Sequence, residues 1–116
     1  MINFEVKRVG NISIFRLNEK RLNSSVSGMI KGEFTILLQT EDVSKFIVDM
    51  TDVESCDSSG LSALLLAYRI LSSNQGHIRI ANPSRNVKTL IHISQLDRVL
   101  PICDNIDDAI NELESL

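Results

Sequence analysis

Tryptophan is absent from this chain, tyrosine occurs once and phenylalanine four times, so aromatic residues make up only 4% of the 116. Base-stacking platforms need aromatic faces arrayed along a groove, and the sequence does not supply them. A basic tract is missing too. Twelve Lys and Arg stand against 15 Asp and Glu, for a formal net charge of −3. That balance repels a phosphate backbone, and direct binding to nucleic acid is not expected. Cysteine is limited to Cys56 and Cys103, which form no CxxC pair and no metal-ligand spacing. They read as small, reduced hydrophobes, and neither a metal nor another cofactor is expected. Long apolar runs are also lacking. The longest, Leu61 to Leu71, is interrupted by Ser62, Tyr68 and Arg69, and it falls far short of the roughly 20 residues that a membrane span requires. The opening Met1-Ile2-Asn3-Phe4-Glu5 has neither the basic nor the apolar part of a signal peptide. A soluble, cytoplasmic protein without membrane insertion is the expectation.

What is present suffices for one core. Apolar residues amount to 43%, an ordinary globular share, and the length suits a single domain over residues 1–116. The pattern opens with two extended stretches, Ile2–Val9 and Ile12–Leu17, joined at the turn signal Gly10-Asn11. After the polar loop Asn18–Asn23, Ser24 or Ser25 can cap a helix whose apolar stripe is Val26, Ile30, Phe34, Leu37 and Leu38. Gly28 and Gly32 lie within that helix, and close packing on a sheet would explain them. Lys45–Met50 is an almost continuous apolar run, as suits a strand covered on both faces.

A second helix follows on Leu61, Leu64, Leu65, Tyr68 and Leu71, ending at Asn74-Gln75-Gly76, and His77–Ala81 alternates as a strand. Asn82 as cap, with Pro83 in the first position, would begin a third helix. Val99–Ile102 reads as a short strand, placed at an edge by Pro101. Asp104 or Asn105 opens the last helix, with Asp107 and Asp108 in its first turn, where the helix dipole favours anions. The order β-β-α-β-α-β-α-β-α implies an α/β domain with a mostly parallel sheet, one antiparallel hairpin strand and about four helices.

One stretch carries functional information. Phe46-Ile47-Val48-Asp49-Met50 is a buried strand, a six-residue loop follows, and Asp57-Ser58-Ser59-Gly60-Leu61 opens a helix. If Asp57 is the cap, both serines fall in the first helical turn, where amides have no partner in the helix. A phosphate there would gain amide donors and a favourable dipole while changing the surface charge sharply. Gly60 would leave room for another backbone. No GxSxG elbow surrounds Ser59, no Gly-rich phosphate loop occurs, and His77 and His92 are distant in sequence, so no catalysis is expected. Cys56 with His92 could in principle form a nucleophile pair, which only geometry can establish.

In this setting the segment resembles the STAS family, the domain shared by sulfate transporters and bacterial anti-sigma factor antagonists. Asn82-Pro83-Ser84, Val87-Lys88-Thr89-Leu90 and Ile93-Ser94-Gln95-Leu96-Asp97 are similar to the family's third-helix region, so the resemblance runs from end to end. It implies that Ser59 is the phosphoacceptor, supported by Asp57, Ser58 and Gly60. It also implies binding to an anti-sigma factor of serine-kinase type, release of a sigma factor, and resetting by a phosphatase. The implied partner surface is Asn23, Ser24, Asp57, Ser58, Ser59, Gly60 and Ser62. The alternative is a STAS subunit of a phospholipid-trafficking ABC transporter, or another interaction module without phosphoregulation. Two positions depart from the antagonist pattern: Ser62 stands where Gly is common, and Glu19-Lys20-Arg21-Leu22-Asn23 replaces a loop with Gly and Asp.

Overall fold

Four times along the chain an extended stretch gives way to helical spacing, and each time a strand is followed by a helix. The computed structural model describes residues 2–116. Strands β1 (Phe4–Val9) and β2 (Ile12–Leu17) form the hairpin, turning at Gly10, whose φ of 62° suits a residue without Cβ. Then come β3 (Arg21–Leu22), α1 (Ser24–Thr40), β4 (Lys45–Asp49), β5 (Ser55–Cys56) and α2 (Ser58–Ser73). The chain closes with β6 (His77–Ala81), α3 (Arg85–Ile93), β7 (Ile102–Cys103) and α4 (Ile106–Glu114).

The main sheet has the order β1-β2-β4-β6-β7; only β1–β2 is antiparallel. Its centre is β4, where Phe46, Ile47 and Val48 are buried on alternating faces, as the apolar run requires. One core, on the side of α1, α2 and α3, gathers Phe15, Phe34, Phe46, Leu64 and Ile91. The other, sealed by α4, holds Ile12, Ile14, Ile47, Ala81, Ala109 and Leu113. All four phenylalanines meet in the first core: Phe4 stacks on Phe15 at 4.8 Å, and Phe34 meets Phe15 at 4.9 Å and Phe46 at 5.6 Å, both edge to face. Such pairs add about 0.5–1.5 kcal/mol each beyond their buried area. They tie the hairpin to α1.

Several local expectations change. Asn23, not Ser24 or Ser25, caps α1; its side-chain oxygen accepts from the Ser25 amide at 3.0 Å. Gly28 and Gly32 face open space, where an added Cβ would meet nothing within 4 Å, so close packing does not explain them. The first strand begins at Phe4 rather than Ile2. Ser84, rather than Asn82, caps α3, and Pro83 precedes the helix instead of opening it. Asn82 is held in the left-handed region at φ 53°, and its amide side chain reaches Thr51 Oγ1 at 3.1 Å. Thr51 in turn donates to buried Asp49, so a polar chain joins the ends of β4 and β6. The last strand is Ile102–Cys103, not Val99–Ile102, although β7 does occupy an edge. Proline without an N–H leaves its carbonyl to serve: Pro101 O accepts from Ile80 N at 2.8 Å. Asn105 caps α4.

The largest addition is a second, two-stranded parallel sheet, β3–β5, which lies in segments that the alternation pattern reads as loops. Strands of two residues show no periodicity, and this pair is visible only once α1 and α2 are side by side.

Candidate functional site

The two short strands decide where the helices begin. Leu22 pairs with Cys56, and one residue later each segment reaches its cap, Asn23 for α1 and Asp57 for α2. Backbone bonds zip the junction: Glu54 N and Ser55 N donate to Lys20 O at 2.7 and 3.3 Å, and Asp57 N donates to Leu22 O at 3.2 Å. The first turns of the two helices therefore stand together at one end of the molecule. Each brings the positive end of its dipole.

Asp57 behaves as its position requires. Its Oδ1 accepts from the Gly60 amide at 3.0 Å, and its carbonyl takes the Leu61 amide at 3.0 Å. The amides of Ser58 and Ser59 have no acceptor among the described residues. Ser58 is exposed, Ser59 and Ser62 are half-buried, and Asp57 itself is exposed. Ser58, Ser62, Leu65 and Arg69 follow one another along the outward side of α2.

Gly60 is buried, and the backbone that approaches it is the chain's own. A Cβ at this position would lie 2.3 Å from Leu22 O, 2.6 Å from Cys56 Sγ and 2.7 Å from Leu22 Cγ. The expected room for a visiting backbone is already filled from within. Gly60 thus supports the site by letting β3 close onto α2.

Cys56 lies beneath this junction, with its Sγ 3.4 Å from the Asp57 carbonyl. Burial, and secondarily the Asp57 charge, push its thiol up to about 12. A thiol so disposed is a poor nucleophile near neutrality. The imagined Cys56–His92 pair does not form, because His92 Nδ1 lies 3.2 Å from Asp97 Oδ2 near the far end of α3.

Residues that the sequence pattern left out complete the surface. Lys20 and Leu22 supply the zip, while Ser84 Oγ and Asn86 Nδ2 both donate to Glu54 O, at 3.0 and 3.4 Å, and bring the start of α3 alongside β5. A depression of about 570 Å³ beside α1 is lined by Lys20, Arg21, Asn23, Ser25, Val26 and Glu54, among others. Of the implied partner surface, Asn23, Ser24, Asp57, Ser58, Ser59 and Ser62 share this end, whereas Gly60 is enclosed.

A strand, a β3–β5 zip and an Asp-capped Ser-Ser-Gly turn form a pattern that can be compared with other proteins, and the model of the STAS domain matches residues 3–109. The chain belongs to the STAS family. The match leaves out residues 1–2 and 110–116, the latter comprising the second half of α4 and the residues after it, so it spans nearly the whole sequence. A relative from Paenibacillus polymyxa named anti-sigma F factor antagonist is 25% identical over 113 residues, 97% of this chain and 96% of that protein. A crystal structure from Thermotoga maritima, of a protein provisionally named an anti-sigma factor antagonist, is 26% identical. It has a TM-score of 0.87 and covers 96% of this chain and 94% of its own. The phosphorylated form of SpoIIAA from Bacillus overlays at a TM-score of 0.73, with 21% identity and coverage of 95% and 98%. At that identity the likeness is one of fold.

Proposed function

We propose that this STAS protein is an anti-sigma factor antagonist switched by phosphorylation of Ser59. Unmodified, it binds an anti-sigma factor that is also a serine kinase, and thereby frees a sigma factor. Transfer of phosphate to Ser59 ends the binding, and a phosphatase restores it. The protein works through protein contacts in the cytoplasm, turns over no substrate, and neither inserts in a membrane nor touches nucleic acid directly. The name of the Paenibacillus relative, aligned along almost the whole chain, supports the choice of partner.

The observation that carries this reading is the state of the first turn of α2. Asp57 uses the Gly60 amide and leaves those of Ser58 and Ser59 unpaired beside two adjoining helix starts. A phosphoserine adds about −1.5 to −2 charges. The unpaired amides and the two dipoles offset much of that charge locally, so the fold survives. A docked partner has no such compensation, and like charge facing like charge costs several kcal/mol. Exposed Asp57 already places a carboxylate beside the serines, so the added phosphate deepens an existing negative spot.

The identity of the acceptor is tested by incubating wild type, Ser59→Ala and Ser58→Ala with extract of the native cell and mapping phosphate by mass spectrometry. Phosphate on Ser59 in wild type and in Ser58→Ala, and none in Ser59→Ala, is the expected result. Phosphate on Ser58 or Ser62 in the wild type contradicts the assignment. Capture of an ATPase subunit in place of a kinase supports the transporter-subunit role instead.

A further inference from the structure

At the opposite margin of the sheet from β7, strand β1 presents an open edge. Its six residues pair with β2 without a bulge, in the register Phe4↔Leu17 to Val9↔Ile12. Asn18 N donates to Asn3 O at 2.8 Å, which continues the same register and marks the odd-numbered residues as the hydrogen-bonded pairs. In an antiparallel ladder the N–H and C=O of the intervening residues then point away from β2. Phe4, Val6 and Arg8 therefore offer three donors and three acceptors along the free edge. No other strand of the main sheet lies beyond them.

Edge strands are commonly protected by proline, a bulge or unopposed lysines. Proline and a bulge are missing from β1, and its charges read Glu5, Lys7 and Arg8 around Val6. Neither Lys7 nor Arg8 takes part in an ion pair among the described residues. Next to this edge runs an apolar groove of about 130 Å³, lined by Phe4, Val6, Phe15, Ile36 and Leu37, with Glu33 and Glu41 at its rim. Val6 is 42% and Ile36 60% exposed.

We propose that two copies of this chain pair edge to edge through β1, antiparallel about a two-fold axis at Val6. Val6 then faces Val6 of the second copy, Phe4 faces its Arg8, and Glu5 faces its Lys7. All six outward backbone groups of each copy bond across the seam. Glu5 and Lys7 meet twice by symmetry, at non-hydrogen-bonded positions where side chains lie closest. The neighbouring registers are disfavoured by charge: shifting the axis to residue 5 sets Glu5 against Glu5, and shifting it to residue 7 sets Lys7 against Lys7. Even-numbered residues stay on the α1 side in both copies, so Val6 and Ile36 of one meet those of the other over the seam. Arg8 is brought beside the groove that carries Glu33 and Glu41. The two five-stranded sheets become one continuous sheet, and the Ser59 end of each copy remains free.

Sedimentation equilibrium on the full chain tests this, with circular dichroism confirming that each variant is folded. Wild type should approach twice the mass of one chain as concentration rises. Glu5→Lys puts lysine opposite lysine at both crossings and should weaken association by about tenfold or more. The double exchange Glu5→Lys/Lys7→Glu should restore it. Amide exchange at Phe4, Val6 and Arg8 should slow as dimer forms. A wild type that keeps the mass of one chain at millimolar concentration overturns the proposal. So does a dimer that survives Glu5→Lys undiminished, or one whose Phe4, Val6 and Arg8 amides exchange freely.

Discussion

Residues at the start of α2 divide between those that hold the structure and those of the proposed switch. Gly60 is wholly structural: a methyl group there would press on the Leu22 carbonyl, which is held in the β3–β5 zip and cannot swing aside. Gly60→Ala should destabilise the domain by about 1–3 kcal/mol, the usual cost of overpacking, seen as a lower melting temperature. Asp57 is a cap whose loss should cost about 1 kcal/mol. Asp57→Asn retains the accepting oxygen, so it should melt near wild type while altering the rate of phosphorylation, which a timed kinase assay reads. Cys56 gives a pH signature. Its folded pKa, near 12, lies above the ordinary value of 9.0. The buried neutral thiol therefore favours the fold fully below pH 9, and that contribution drains away as pH rises from 9 toward 12. Cys103, raised to about 11 by burial and the Glu112 charge, acts in the same direction. Melting temperature should thus fall between pH 8.5 and 10.5, and fall less in Cys56→Ala.

Among the elements, β3 and β5 are the smallest and the most consequential, because they bring the caps of α1 and α2 into line. Leu22→Ala removes a fully buried side chain of the zip and should cost about 2–5 kcal/mol. Hydrogen exchange should report faster opening at Asp57 and Gly60 than in β4. The larger elements were legible from periodicity: β4 as an apolar run, α1 and α2 as stripes, and α4 from its acidic first turn. The Asp57 cap was legible as well, since its residue type and the three-residue spacing to Gly60 carry the geometry. The zip was not, because two-residue strands have no period to read. Nor was the inward purpose of Gly60, which depends on contact with a residue 38 positions earlier, Leu22. Asn82 misled for a chemical reason: Asn serves both helix caps and left-handed turns, and here Thr51 supplies the partner that selects the turn.

Across the whole molecule, the candidate site lies at the end of the sheet where α1, α2 and α3 begin, and α4 covers the other face of the sheet. Partner binding should follow that division. Charge reversal at Arg21 or Arg69 should weaken capture of the anti-sigma factor, while Asp107→Lys or Glu114→Lys on α4 should leave it unchanged. Equal losses from both sets, measured by calorimetric titration, would locate the interface elsewhere. On the proposed switch, a doubly charged group at Ser59 should leave the fold intact, because the core lies below the helix starts and the amides of Ser58 and Ser59 are unpaired. Affinity of the anti-sigma factor for wild type and for Ser59→Asp, with melting curves of both, is the most direct measurement of that claim. The account predicts binding weakened by at least about tenfold, a loss of about 1.4 kcal/mol or more, with nearly unchanged melting. Equal affinity of the two proteins would contradict it.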